Sequence, residues 1–424
     1  MLEKLVHRRL YSFLDKYNVF YKYQFGFRKN HSTSLAVLEV IDTCYKNLDN
    51  NNKILGIYFD LSKAFDTVDH SILLSKLFHY GIRGTMHDWL TSYLSNRMQF
   101  TVVNNVSSKI GSISCGVPQG SVLGPLLFLI YMNDIHKAVP NKDLKLFADD
   151  TNLFLFGSDL KILEAEANDC LKKLELWFYA NKLSLNTEKT CYTAFKCNNK
   201  AQSDVLTFSL IINGKQINKV SSCKYLGVYI DDNFKWNEHI DYVYKKIVRF
   251  VGICYKLKGT VPKECLYKLY YAFIYPYIQY GVEVYANSSK SALDKLSKAN
   301  NKILRIILNK KFDTPNIDLY REFNVLPIPL LHESKLLQLI FKCYYFKNLL
   351  PEIFKSYFTT NKSIHQHRTR NVMNLHIASV NSTFGQRCSD FRGSKLWNEL
   401  PIRLKQYSSC ALFKKSIHTF LLWR

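Results

Sequence analysis

Asp149 and Asp150 are adjacent carboxylates inside an apolar frame, 144-LKLFADDTNLFLF-156. Leu144, Leu146 and Ala148 alternate on the way in, and Leu153 and Leu155 alternate on the way out. That period of two predicts a β-hairpin, half buried on one face, with the acid pair at its tip. Successive strand residues point to opposite faces, so both acids reach one spot only if the turn bends them there. Two like charges held together call for a counter-charge, and a divalent cation is the chemistry that such a pair suggests. A bare Asp-Asp at a hairpin tip is also an ordinary solvated turn.

A second carboxylate has the same setting. The run 54-ILGIYFD-60 reads as a buried strand that delivers Asp60 at its end and then turns into an amphipathic helix carrying Ile72, Leu73 and Leu77 on one face. Side by side in one sheet, the two strands would gather Asp60, Asp149 and Asp150. Oxygen donors with no His or Cys beside them favour Mg²⁺ over Zn²⁺. Between these strands lies 115-CGVPQGSVLGPLLFLIYMNDI-135, a Gly/Pro-punctuated loop that opens a buried helix expected over Ser121 to Val139. Such a loop lets a backbone or a flat ligand approach closely, and a helix start favours phosphate, although many loops of this composition are only turns.

In order and separation, YFDLSKAFDTVDH, GVPQGSVLGPLLFLIYMNDI and LFADDTNLF resemble the palm motifs of reverse transcriptases, and most nearly those of non-LTR, jockey-type retrotransposons. The likeness extends upstream through 24-QFGFRKNHST-33 and downstream through 177-WFYANKLSLNTEKTCYTAF-195 and 223-CKYLGVYID-231, with 396-LWNELP-401 resembling the region beyond the polymerase. The resemblance implies an RNA-directed DNA polymerase of α+β class, a right-hand polymerase with partial fingers, a palm of antiparallel sheet plus helices, a helical thumb and a C-terminal extension. It implies Asp60, Asp149 and Asp150 as catalytic metal ligands for Mg²⁺ or Mn²⁺. Phe65 stands where the family has a ring that blocks the ribose 2′-hydroxyl, and Gln119 matches a residue that touches the template or nucleotide. Gly116, Pro118 and Gly120 would shape that loop. Lys189 resembles a lysine that protonates pyrophosphate, and Tyr225, Leu226 and Gly227 resemble a hairpin that grips the primer end. Arg28 and Lys29 look like finger residues for triphosphate or template. Taken alone, each of these side chains has a plainer reading, as core for the aromatics and as solvated surface for the bases.

The expected organisation is partial fingers over 1–52, a palm over 53–235, a helical thumb and connection over 236–356, and a basic C-terminal region over 357–424. Within the last, Tyr357 to Val380 reads as a linker. Helices are expected at 2–17, Ser32 to Asn50, His70 to Tyr80, Asp159 to Asn181, His239 to Lys258, Pro262 to Tyr280, Ser289 to Leu308 and Leu330 to Leu349. The chain opens in what resembles the middle of the fingers, which suggests a truncated copy or a partial gene model; a non-catalytic nucleic-acid-binding remnant is the alternative function.

Composition agrees with a polyanion-binding protein. Lys and Arg number 58 against 34 Asp and Glu, a net charge of +24, and from Asn301 to Arg424 there are 20 basic and 7 acidic residues. The expected partners are an RNA template, a DNA primer or target, and deoxynucleoside triphosphates. Eleven cysteines without a C-x-x-C pair indicate free thiols in a reducing compartment, and no structural zinc is expected. No signal peptide opens the chain, and the longest apolar run, in 122-VLGPLLFLIYM-132, is too short for a bilayer. The expected location is intracellular, in the nucleus for target-primed synthesis or in the cytoplasm.

Overall fold

The run Lys53–Phe59 forms a strand with Ile54, Leu55, Ile57 and Phe59 all buried. It pairs antiparallel with Asp150–Gly157, which pairs in turn with Asp143–Phe147. In this computed structural model, which describes residues 1–195, 207–364 and 374–424, these strands belong to a five-stranded sheet. Its order is Asn218–Lys219, Cys191–Phe195, Lys53–Phe59, Asp150–Gly157, Asp143–Phe147. The sheet departs from the antiparallel expectation at one end, where Asn218–Lys219 runs parallel to Cys191–Phe195.

The chain divides into two units. The first holds Met1–Ser32, Lys53–Ala194 and, among the described residues, the stretch up to Val220; the second holds Thr33–Asn52 and Ser221–Arg424. In the first, one sheet face carries Leu55, Ile57, Leu144, Leu146, Leu153 and Leu155 into a core shared with the helices His70–His79, Gly124–Met132 and Leu160–Ala180. The half-buried expectation for the hairpin needs correcting. Lys145, Asn152 and Tyr58, on the alternate positions, are buried as well, so both sheet faces are covered. Lys145 tolerates burial because its ammonium lies 2.6 Å from Asp143 and over the Tyr23 ring.

The helix Gly124–Met132 is apolar on every side and buried on every side. It starts three residues after Ser121, with Pro125 in its first turn, and stops well short of Val139. There Asn133 turns its amide to Val19 O (2.8 Å) and accepts from Tyr21 N (2.8 Å), and a separate 3₁₀ turn follows at Ile135–Lys137. A feature absent from the sequence reading is a pair of two-stranded ribbons, Arg97–Gln99 with Gly111–Ile113 and Val102–Val103 with Val106–Ser107.

In the second unit the helices Asn237–Leu257 and Lys290–Leu308 pack together, with Lys263–Phe273 against them. The helix expected over Pro262 to Tyr280 breaks after Phe273 because Pro276 cannot donate, and a short helix Tyr275–Gln279 follows. Tyr357 to Val380, expected as a linker, is held at both ends. Tyr357 donates to Asp42, while Asp49 accepts from Asn381 N (3.0 Å) and Ser382 N (2.6 Å); residues 365–373 lie outside the described ones. Among the described residues no helix is long and apolar enough to cross a membrane.

Candidate active site

The site begins with strand register. Phe59 faces Thr151, so the next residue, Asp60, emerges across from Asp150, and Asp149 occupies the turn that closes the neighbouring hairpin. That turn has two residues, Ala148 and Asp149, because Phe147 pairs with Asp150. Ala148 adopts φ 56°, the positive value that the first central residue of a type II′ hairpin turn requires and that an L-residue resists. The bend that the sequence demanded is therefore made by Ala148.

The three carboxylates feel one another. Although Asp150 as a residue is exposed, partial desolvation of its carboxyl, followed by the charges of Asp149 and Asp60, pushes it up to about 6. The Asp60 backbone is held by its N–H on Thr190 Oγ1 (3.4 Å) and its carbonyl on Asn186 N (2.8 Å). The segment that supplies these contacts also carries Lys189, whose exposed ammonium stands 4.0 Å from the Asp60 carboxylate.

Metal fit follows from donor chemistry. Among the described residues no three His, Cys, Asp or Glu side chains converge tightly enough to cage an ion. What is present is an open set of oxygen donors, mutually repelling and facing solvent. Mg²⁺ is commonly held by one or two carboxylates together with water and substrate phosphates, and Asp60, Asp149 and Asp150 are donors of that chemistry.

Phe65 lies in the turn after Asp60, half buried. Its ring stacks on Phe128 (centroids 4.1 Å, 20°) and meets the edge of the exposed Phe27 (6.2 Å, 89°). One face is fixed by core, and the ring as a whole is half buried. The Gly-Val-Pro-Gln-Gly loop is pinned to the same turn: Gly116 N donates to Val68 O (2.7 Å), Val117 N to Phe65 O (2.9 Å), and His70 Nε2 lies 2.7 Å from Gly116 O. At Gly116, with φ 86°, a Cβ would fall 2.8 Å from Asp66 O, so only glycine lets the two segments approach this closely. Pro118 O accepts from Ser121 Oγ (2.7 Å), and the Gln119 amide donates to Asp66 Oδ1 (2.7 Å) on the rim of a 690 Å³ cleft lined also by Arg97, Gln99 and Ser114.

Arg28, Lys29 and the turn Tyr225–Gly227 complete the expected set. Arg28 is half buried, with Nη1 donating to Tyr21 O (3.0 Å) and Gln24 O (3.3 Å), so it ties the loop that carries it. Lys29 is exposed. Tyr225, Leu226 and Gly227 lie in the second unit, at the turn joining Ser222–Tyr225 to Val228–Asp231. The Tyr225 side chain is buried; Leu226 (φ 44°) and Gly227 (φ 83°) form the turn, with Leu226 O accepting from Tyr280. The residues missed by sequence reasoning are supports: Asp66 beneath Gln119, Asn186 and Thr190 behind Asp60, and Gln24 beside Ala148. A lone glutamine amid aromatics in YKYQFGF was the available signal for Gln24, and it did not say which backbone the amide would meet.

The family model described as reverse transcriptase (RNA-dependent DNA polymerase) matches residues 1–230. The RNA-directed DNA polymerase from mobile element jockey of Drosophila melanogaster is 26% identical over 336 residues, 77% of this chain and 36% of that protein. The probable RNA-directed DNA polymerase from transposon BS of the same fly is 27% identical over 340 residues, 76% and 36% of the two chains. The chain thus spans about a third of the length of these relatives. A solved structure of apo telomerase from Candida tropicalis aligns with 85% of this chain and 60% of its own at 10% identity and a TM-score of 0.43.

Proposed function

Because the chain belongs to the reverse transcriptase family, we propose that it extends a DNA 3′ end on an RNA template, using deoxynucleoside triphosphates and releasing pyrophosphate. The observation that supports this reading is the placement of Asp60, Asp149 and Asp150 at neighbouring strand ends, where partial desolvation first, and then the charges of Asp149 and Asp60, push the Asp150 carboxyl up. Reverse transcriptases use divalent metal ions, and Mg²⁺ is the ion proposed here. When bound, a pair of such ions supplies a lowered pKa at the primer hydroxyl and neutralises charge on the leaving group.

Asp60 and Asp149 would be the principal residues holding the ions, and Asp150 a weaker one. Phe65, backed by Phe128, closes the space beneath the sugar where a 2′-hydroxyl would sit. Gln119 and its loop bear on the templating position, and Lys189, beside Asp60, holds the proton that the departing pyrophosphate takes up. Primer extension on poly(rA)/oligo(dT) with purified protein tests the reading. Incorporation of dTMP that requires a divalent cation is expected, and no incorporation above a Asp60→Asn, Asp149→Asn double variant would overturn it.

A further inference from the structure

The hairpin that bears Asp149 and Asp150 ends the sheet, and its outer strand is not left bare. Residues 23–26 lie along Asp143–Phe147: Phe25 N donates to Leu146 O (2.8 Å), Leu146 N donates to Tyr23 O (3.0 Å), and Gln24 bridges Leu146 in parallel. Tyr21 donates its hydroxyl to Leu144 O (2.9 Å), and the Lys145 ammonium sits 3.7 Å from the Tyr23 ring centre. The segment is thus docked as an extra edge element that ends at the turn.

Gln24 is 2% exposed and its side chain is aimed at that turn. Its Oε1 accepts from Ala148 N (2.9 Å) and Gly26 N (2.8 Å), and its Nε2 faces Ala148 O at 3.4 Å. Two backbone donors on one oxygen fix which end of the amide is which. The amide therefore satisfies both backbone groups of the single residue that is held at φ 56°. Gly26 completes the fit, since a Cβ there would lie 2.3 Å from Ala148 N. An alanine in the left-handed region reverts unless its surroundings hold it, and the side chain that meets both of its backbone groups here is a buried glutamine.

We infer that Gln24 is a positioning residue that holds the Ala148–Asp149 turn in its left-handed form and so sets where Asp149 and Asp150 point. The assignment concerns the turn itself; its catalytic consequence rests on the polymerase reading above.

Hydrogen–deuterium exchange of the whole chain, without metal or nucleic acid, tests the clamp. Gln24→Leu keeps the volume and removes the acceptor, so exchange over 146–150 should quicken about tenfold while peptides of the helix Leu160–Ala180 stay unchanged. Gln24→Glu, read at a pH low enough to keep the buried carboxyl protonated, keeps both the acceptor and a donor and should retain the protection. In primer extension Gln24→Leu should lower kcat about tenfold with KM for dTTP within about twofold, and the loss should shrink in an Ala148→Gly background, where φ 56° needs no support. Unchanged exchange in Gln24→Leu overturns the inference, as does an equal loss of kcat in both backgrounds. If Gln24→Leu does not fold, loss of the 146–150 protection in Gln24→Glu at that low pH overturns it. A wild-type chain that extends no primer would fail the polymerase reading and leave the exchange result to decide the clamp.

Discussion

At the scale of single residues, the carboxylates were legible because strand ends announce themselves: an apolar run stops and an acid follows. Phe59 pairs with Thr151, which brings Asp60 across from Asp150; alternation within each strand implied two strand ends bearing acids but not this register. Asp149→Asn or Asp60→Asn removes one charge from a shared ligand set, a loss of several kcal/mol that corresponds to roughly a hundredfold or more in extension rate. Single-turnover extension in Mg²⁺ measures it, and Asp150→Asn is expected to be milder. Phe65 was legible only through resemblance, since a phenylalanine in a turn is as good a core residue. In the structure it is half buried, one face on Phe128 and an edge contact with Phe27. Phe65→Ala should admit ribonucleotides while costing about 1–2 kcal/mol of stability for the half-buried ring. Competition between dTTP and UTP, beside a thermal melt of the same variant, separates the two effects. The bases Arg28 and Lys29 were less legible, because charge in a loop does not say whether a guanidinium will turn to solvent or, as Arg28 does, to carbonyls of its own loop.

At the scale of elements, periodicity located the helices well where they were long and amphipathic, as in Asn237–Leu257 and Leu160–Ala180, and poorly where a polar side chain or a proline intervened. Asn133 ends the central helix through hydrogen bonds with Val19 and Tyr21 that local sequence does not display, whereas Pro276, plain in the sequence, splits another because it has no N–H to donate. The edge element at 23–26 was invisible for a related reason: its partner is more than a hundred residues away. Loop 116–120 offers a paired test of close approach against conformational strain. Gly120, at φ 85°, has no atom within 4 Å of a would-be Cβ, whereas Gly116 meets Asp66 O at 2.8 Å. Gly120→Ala should cost about 1–2 kcal/mol from strain alone. Gly116→Ala should cost more, on the order of 3 kcal/mol, and should also reduce extension by moving Gln119 off Asp66. Chemical denaturation of the two variants gives the comparison, and equal losses would mean that the contact relaxes freely.

At the scale of the whole molecule, the C-terminal region is built into the second unit rather than appended to it. Burial of Asp42, offset by its bonds from Tyr357 and Ser389 N, pushes that carboxyl up to about 6. The folded state holds this proton more tightly than the unfolded chain does, so the group's contribution falls as pH rises from about 4 to about 6, by roughly 3 kcal/mol. Asp42→Asn should flatten that part of the stability profile, read by urea melts at several pH values. The same integration decides how the basic excess is to be examined. Phe413 stacks on Phe341 (4.1 Å, 6°) and Trp397 is buried, so removing residues 357–424 would strip apolar cover from the helix Ile328–Tyr345. Neutralising exposed charge in place avoids this. Lys395, Arg403, Lys414 and Lys415 are exposed on the described C-terminal helices, and their conversion to Gln leaves the packing alone. If these bases contact phosphate, each releases a counterion on binding, and log affinity for single-stranded RNA falls with log salt at a slope of about 0.7 per contact. The quadruple variant should then bind more weakly at low salt and show a slope shallower by up to about 3. A titration of labelled RNA at three or more salt concentrations measures it, and identical slopes for variant and wild type would move the binding footprint away from the C-terminal helices.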